Sequence, residues 1–129
     1  MIFIDSSFFI ALILENDQWH DKALKLLPKM EKSQKMVSNL IIVEAVTIVG
    51  SRAKGKAGKM IYDTIKDNCK IIDSDLSDYD NAIYTFLHYD GTLSLTDSVT
   101  LEIMKTFNIS EIVSFDSDFD KINGINRIY

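Results

Sequence analysis

The opening stretch "MIFIDSSFFIALILE" (Met1–Glu15) decides the fold. "MIFI" is a short continuous apolar run, as expected of a strand buried on both faces. Asp5 ends that run, and Ser6 and Ser7 are placed to cap a helix through "FFIALILE". The apolar Phe8, Phe9 and Leu12 of that helix suit either a core or a dimer face, with core as the default. A strand, an acid and a helix in this order begin a βαβ unit.

The pattern repeats along the chain. A helix is expected from about Gln18, with Ala23, Leu24, Leu26 and Leu27 on its apolar face and Pro28 bending or ending it. "KMVS" (Lys35–Ser38) reads as a strand, and "LIIVEAVTIVGSRAK" as a helix stopping at Gly55. A helix through "KMIYDTIKDN" leads to the strand "KIID" (Lys70–Asp73). Ser77 and Asp80 have the spacing of a capping box for "DYDNAIYTFLHY". Thr96 or Asp97 caps a helix ending near Asn108, "EIVSF" (Glu111–Phe115) is a strand, and "NRIY" is a last one. Short strands alternating with helices specify an α/β fold with a mostly parallel sheet.

At 129 residues the expectation is one domain spanning 1–129, long enough to bury a core. A chain 47% hydrophobic and 26% charged, with one Pro, fits an ordered protein. The net charge of −5 argues against loose, non-specific binding to nucleic acid, although a bound divalent cation reverses the sign locally. Cys69 is the only cysteine, so no intrachain disulfide forms and a reducing compartment, the cytoplasm, is expected. Asp5 interrupts the apolar N-terminus and no basic residue precedes it, which fits neither a signal peptide nor a membrane span.

Four acids stand out by position. Asp5 directly follows the first strand, and Asp116, in "SFDSDFD" (Ser114–Asp120), occupies the same station after "EIVSF". In an open parallel sheet the carboxyl ends of strands face the ligand crevice. The alternative for each is simple helix capping. Glu44 lies in a helix apolar nearly all round, which predicts burial; a buried carboxylate needs an ion pair, a metal, or a route to the surface. Asp97, in "LSLTDSVTLEIMK", sits in a first helical turn, where the backbone N–H groups favour an acid whatever its function. Carboxylates about 4 Å apart repel by roughly 4 kcal/mol at an effective dielectric of 20. One crevice gathering Asp5, Glu44, Asp97 and Asp116 therefore implies a cation, and an oxygen-only set suits Mg²⁺ or Mn²⁺. His20, His88 and Cys69 are too scattered in sequence for a zinc motif.

The order and setting of these acids resemble the PIN-domain nucleases, especially the toxins of VapBC toxin–antitoxin pairs. The resemblance rests on "MIFIDSS", "SNLIIVEAV", "LSLTDSVTLEIMK" and "IVSFDSDFDKINGINRIY", which together span nearly the whole chain. It implies an α/β/α sandwich with a sheet of order 3-2-1-4-5. It implies that Asp5, Glu44, Asp97 and Asp116 hold Mg²⁺ or Mn²⁺ and hydrolyse RNA phosphodiester bonds. Asp118 is a fifth candidate ligand, since family members vary in whether this second acid reaches the metal. Ser6, Thr96 and Ser114 fall where the family carries hydroxyls. A homodimer and an antitoxin whose tail enters the acidic groove are the implied partners, and a housekeeping RNA-processing nuclease is the alternative role.

Arg52, Lys54, Lys56 and Lys59 in "SRAKGKAGK" are candidate contacts to flanking phosphates, or simply a solvated helix end. Rival folds fit less well. A phosphate-accepting receiver has adjacent acids after its first strand, where this chain has "DSS", and a dinucleotide fold needs GxGxxG.

Overall fold

The computed structural model describes residues 1–129. Five strands, β1 (Ile2–Ile4), β2 (Lys35–Ser38), β3 (Lys70–Ile72), β4 (Glu111–Val113) and β5 (Asn126–Ile128), form one all-parallel sheet in the order β3-β2-β1-β4-β5. β1 is central, with Phe3 opposite both Met36 and Ile112. Phe3, Ile4, Met36, Val37, Ile112 and Val113 are wholly buried, which is why β1 reads as an unbroken apolar run and β2 and β4 each carry an adjacent apolar pair. Strand order reverses between β1 and β4, so the crevice at their carboxyl ends is the switch point of the sheet.

The helices fall into two groups. α1 (Ser6–Ile13), α2 (His20–Met30) and α3 (Asn39–Asn68) connect strands progressing one way across the sheet. α4 (Leu76–His88) and α5 (Leu95–Thr106) belong to the crossover that returns the other way. Right-handed crossovers place the two groups on opposite faces, giving the α/β/α sandwich. Consistently, α1 packs on α2 and α3 while α4 packs on α5. Phe8 and Phe9 of α1 are buried in the core, and Leu12 is half-buried against it.

Several boundaries differ from expectation for local physical reasons. α2 begins at His20, so its inward stripe is Ala23, Leu26, Leu27 and Met30, and Leu24 turns outward at 45% exposure. Pro28 stands inside the last turn of α2, two residues before the helix ends. α4 is capped by Asp75 in a capping box with Asp78, not by Ser77 with Asp80, and α5 is capped by Ser94, not Thr96 or Asp97. α3 breaks at Ala53 and Lys54 rather than at Gly55, and Lys54 takes the positive φ of 74°. Beyond the break the chain folds back closely enough that a Cβ on Gly58 would lie 3.2 Å from the Val46 carbonyl oxygen and 3.3 Å from Gly50 Cα. Two helices meet there, backbone to backbone.

Candidate active site

Asp5 emerges from the carboxyl end of β1 and is only 5% exposed. It occupies the N-cap position of α1, yet its side chain caps nothing. Its Oδ2 instead accepts hydrogen bonds from the Ser7 hydroxyl at 2.8 Å and the Ser114 hydroxyl at 2.7 Å. Ser6 and Ser7 are thus the first residues of the helix rather than its caps. The Ser6 hydroxyl donates to Glu44 Oε1, so both serines serve carboxylates. Burial pushes the Asp5 carboxyl above its ordinary range, the Ser114 and Ser7 hydroxyls oppose that, and the Glu44 charge adds to it.

Asp116 follows β4 by the same logic. Its backbone N–H donates to Ser114 Oγ at 3.0 Å, and its Oδ1 caps a short 3₁₀ turn (Ser117–Lys121) by accepting from the Asp118 N–H at 2.9 Å. One residue thus caps the turn and is tied, through the Ser114 hydroxyl, to the group that bonds Asp5. Ser114 and Ser7 tie the ends of β1 and β4 together, since the Phe115 N–H also donates to Ser7 Oγ at 3.0 Å.

Asp97, in the first turn of α5, is held by its backbone N–H to Ser94 Oγ at 3.0 Å. Its carboxyl is pushed up to about 7, chiefly by burial, then by the charges of Asp5 and Asp116, with Glu44 adding to them against the Ser94 contact. All four acids thus share one electrostatic neighbourhood. None of them is paired with a lysine or arginine.

Glu44 corrects the expectation of burial. It is exposed, as is Val43 at 64%, because only Ile41, Ala45 and Val49 of this segment turn fully inward. The carboxylate reaches solvent at the rim of the crevice, and the Ser6 hydroxyl holds it toward Asp5. Asp118 is exposed, lies 4.0 Å from Lys121, and is not among the charges acting on Asp5 or Asp97. Thr96 is half-buried without a hydrogen bond to any of the four acids. Asp120 is engaged elsewhere: Arg127, whose side chain is 7% exposed, grips it through Nε at 2.7 Å and Nη2 at 2.8 Å. Arg127 also donates to the Ser114 carbonyl at 3.2 Å, bracing the loop that carries Asp116.

Arg52, Lys54, Lys56 and Lys59 are all exposed, and Lys59 is occupied by Asp63 at 2.6 Å. Arg52 alone of the four borders the acids, across a cleft it shares with Ser7 and Asp116. The largest cavity, about 560 Å³, lies at the other end of the sheet, beside Ser110 and Ile125 at the amino ends of β4 and β5, and contains none of the four acids. Ser7 and Arg127 went unrecognised in the sequence. Ser7 looked like a cap, and Arg127 has no local pattern to mark it.

The sequence matches the PIN domain over residues 2–125. The chain belongs to the PIN domain family. Its fold is similar to that of VapC20 from Mycobacterium tuberculosis, described as a sarcin–ricin loop cleaving toxin, with 22% identity, a TM-score of 0.85 and 93% of each chain covered. It is also similar to a toxin–antitoxin complex from Klebsiella pneumoniae, with 17% identity, a TM-score of 0.69, and 98% of this chain and 96% of that one covered. The VapBC2 complex of Rickettsia felis, bound to a DNA fragment from its promoter, has 16% identity, a TM-score of 0.69 and coverages of 99% and 98%. No curated protein sequence matches the chain. No helix of this PIN domain is long and apolar enough to cross a membrane.

The donor set fits a hard divalent cation in chemistry: four carboxylates act on one another, without nitrogen or sulfur donors and without a salt bridge to any lysine or arginine. It is not pre-formed in geometry, because no three His, Cys, Asp or Glu side chains stand close enough to grip an ion as they are.

Proposed function

We propose that this PIN domain is a Mg²⁺- or Mn²⁺-dependent endoribonuclease, the toxin of a type II toxin–antitoxin pair. One observation carries the reading. Buried Asp5, bonded by Ser7 and Ser114, and Glu44, bonded by Ser6, stand in one crevice with Asp97 and Asp116. Burial and the charges of the other three push the Asp97 carboxyl up to about 7 there, and none of the four forms a salt bridge with a lysine or arginine. Crowding of this kind is unfavourable unless a cation offsets it.

In this reading Asp5, Glu44, Asp97 and Asp116 hold the ion, and Asp118 lies outside the set. The ion's contribution is to acidify water and neutralise charge on the phosphate and leaving oxygen. Ser7 and Ser114 fix Asp5 Oδ2, Ser6 holds the exposed Glu44 carboxylate at the rim, and one carboxylate of the group accepts the proton of the attacking water. The toxin role and an antitoxin partner are supported by similarity to the Klebsiella and Rickettsia complexes, and a basic segment of that partner would meet the acids by charge. The reading also expects a homodimer and a cytoplasmic location.

The test is digestion of a mixed panel of tRNA, rRNA and mRNA by the purified protein, with Mg²⁺, Mn²⁺ or EDTA. Discrete cuts with either metal and none in EDTA support the reading. Intact RNA under all conditions, with the antitoxin absent, rejects it.

A further inference from the structure

A second feature adjoins the acids. A cleft of about 250 Å³ begins at Ser7 and Asp116 and is walled on its apolar side by Ile10, Trp19, Ile48 and Phe115, with Arg52 on its polar side. Trp19 and Phe115 are stacked, ring centroids 5.4 Å apart and planes only 6° from parallel. Asp17 also borders the cleft and accepts the Trp19 N–H at 2.8 Å, which fixes the tryptophan backbone. Asp17 and Arg52 in turn border a neighbouring hollow of about 430 Å³ reaching Glu15, Asn16 and Ala53, so the two form one groove leading away from Asp116.

Arg52 is exposed and has no carboxylate within salt-bridge distance. Lys22 lies over the Trp19 ring, its Nζ 5.2 Å from the centroid, and helps fix the indole in place. Guanidinium groups bind phosphate through paired hydrogen bonds, and aromatic side chains take nucleobases of any sequence by stacking.

We propose that this cleft is a nucleotide subsite. It seats the RNA residue adjoining the scissile phosphate, with the base against the part of the Trp19–Phe115 pair that lines the cleft and the neighbouring phosphate on Arg52. The proposal rests on the ribonuclease reading and deepens it, making Trp19 and Arg52 substrate-positioning residues. A basic peptide would meet the like charge of Arg52; a phosphodiester meets its opposite. The Asp17 carboxylate is held by the Trp19 N–H at 2.8 Å, and Asp116 faces the acid group where the proposed cation offsets its charge, which leaves Arg52 as the group that meets the phosphate.

Trp19 is the only tryptophan of the chain, so its emission reports on this cleft alone. The experiment titrates the Asp5→Asn protein with a short fluorescein-labelled single-stranded RNA in Mg²⁺, following anisotropy and, with unlabelled RNA, tryptophan emission. Emission should change with the same midpoint as anisotropy. Arg52→Gln in that background should weaken binding by about fivefold or more, as should Trp19→Ala, while Trp19→Phe should stay within about twofold. Arg52→Gln is a surface change that leaves the fold intact, so it keeps the test valid if Trp19→Ala misfolds. In the otherwise wild-type enzyme, Arg52→Gln should raise KM more than it lowers kcat.

RNA binding with unchanged emission, or with equal affinity in Arg52→Gln, overturns the subsite and leaves the ribonuclease reading standing. No binding together with no cleavage by the wild-type protein overturns both.

Discussion

The Ser114 hydroxyl donates to Asp5 Oδ2 at 2.7 Å, joining the carboxyl ends of the two central strands. Ser114 Oγ also accepts the Asp116 N–H at 3.0 Å, so one buried side chain positions two of the four acids. Ser114→Ala removes the acceptor from a buried amide and a donor from a buried carboxylate. A loss of about 1–3 kcal/mol of stability is expected, measured by urea denaturation with an unchanged m-value. A loss below about 0.5 kcal/mol, typical of a surface substitution, would contradict the role given to this hydroxyl.

Asp97 makes the metal-free protein less stable at neutral pH than in mild acid. Its carboxyl titrates near 7 when folded and near its ordinary 3.8 when not. Between those values the folded state holds more protons than the unfolded one, so stability falls as pH rises across that window and levels off above it. Asp5 is shifted in the same direction. In EDTA at pH 8, Asp97→Asn should therefore melt higher than wild type by about 3–6 °C, corresponding to roughly 1–2 kcal/mol. At pH 4 the difference should vanish. Equal melting temperatures at both pH values would show that Asp97 is not crowded by its neighbours.

Metal should reverse that instability. Mn²⁺ binds only the folded arrangement, so the wild-type melting temperature should climb steadily with Mn²⁺ concentration at pH 8. Asp97→Asn, already relieved of the repulsion, should respond much less. A flat wild-type titration into the millimolar range would count against a gathered acidic site.

Lys54 sits at φ 74° and ψ 169°, a region that is nearly the preserve of glycine. It is exposed, at the break where α3 doubles back. Lys54→Gly should raise stability by about 0.5–1 kcal/mol, the relief of strain outweighing the added freedom of the unfolded chain. Thermal melting measures it, and a destabilised variant would mean that the lysine makes the break rather than tolerating it.

Much of the scaffold was legible because burial on both faces leaves a plain mark. "MIFI" and "EIVSF" read as buried strands, and once the sheet sets β1 beside β4 the acids that follow them emerge at one edge. Glu44 shows where this logic stops. An apolar helix predicts burial only if every side is covered, and here Val43, Glu44 and Thr47 are left facing solvent. Helix caps were misplaced for a related reason. Around α4 and α5 several serines and aspartates have equal local claims to the cap, and backbone geometry chose Asp75 and Ser94. Ser7 escaped notice because its hydroxyl serves Asp5 and the Phe115 N–H, the latter 108 positions away. Periodicity carries no signal of such a contact.

The central claim, that Asp5 and its three acidic neighbours run a metal-dependent RNA hydrolysis, is tested most directly by comparing wild type with Asp5→Asn on one RNA substrate, with Mg²⁺ or Mn²⁺ and with EDTA. Wild type should cleave at discrete positions only with metal. Asp5→Asn should not cleave under any condition, while its circular dichroism spectrum stays that of the wild type. Cleavage that persists in EDTA, or full activity in the Asp5→Asn protein, would contradict the account.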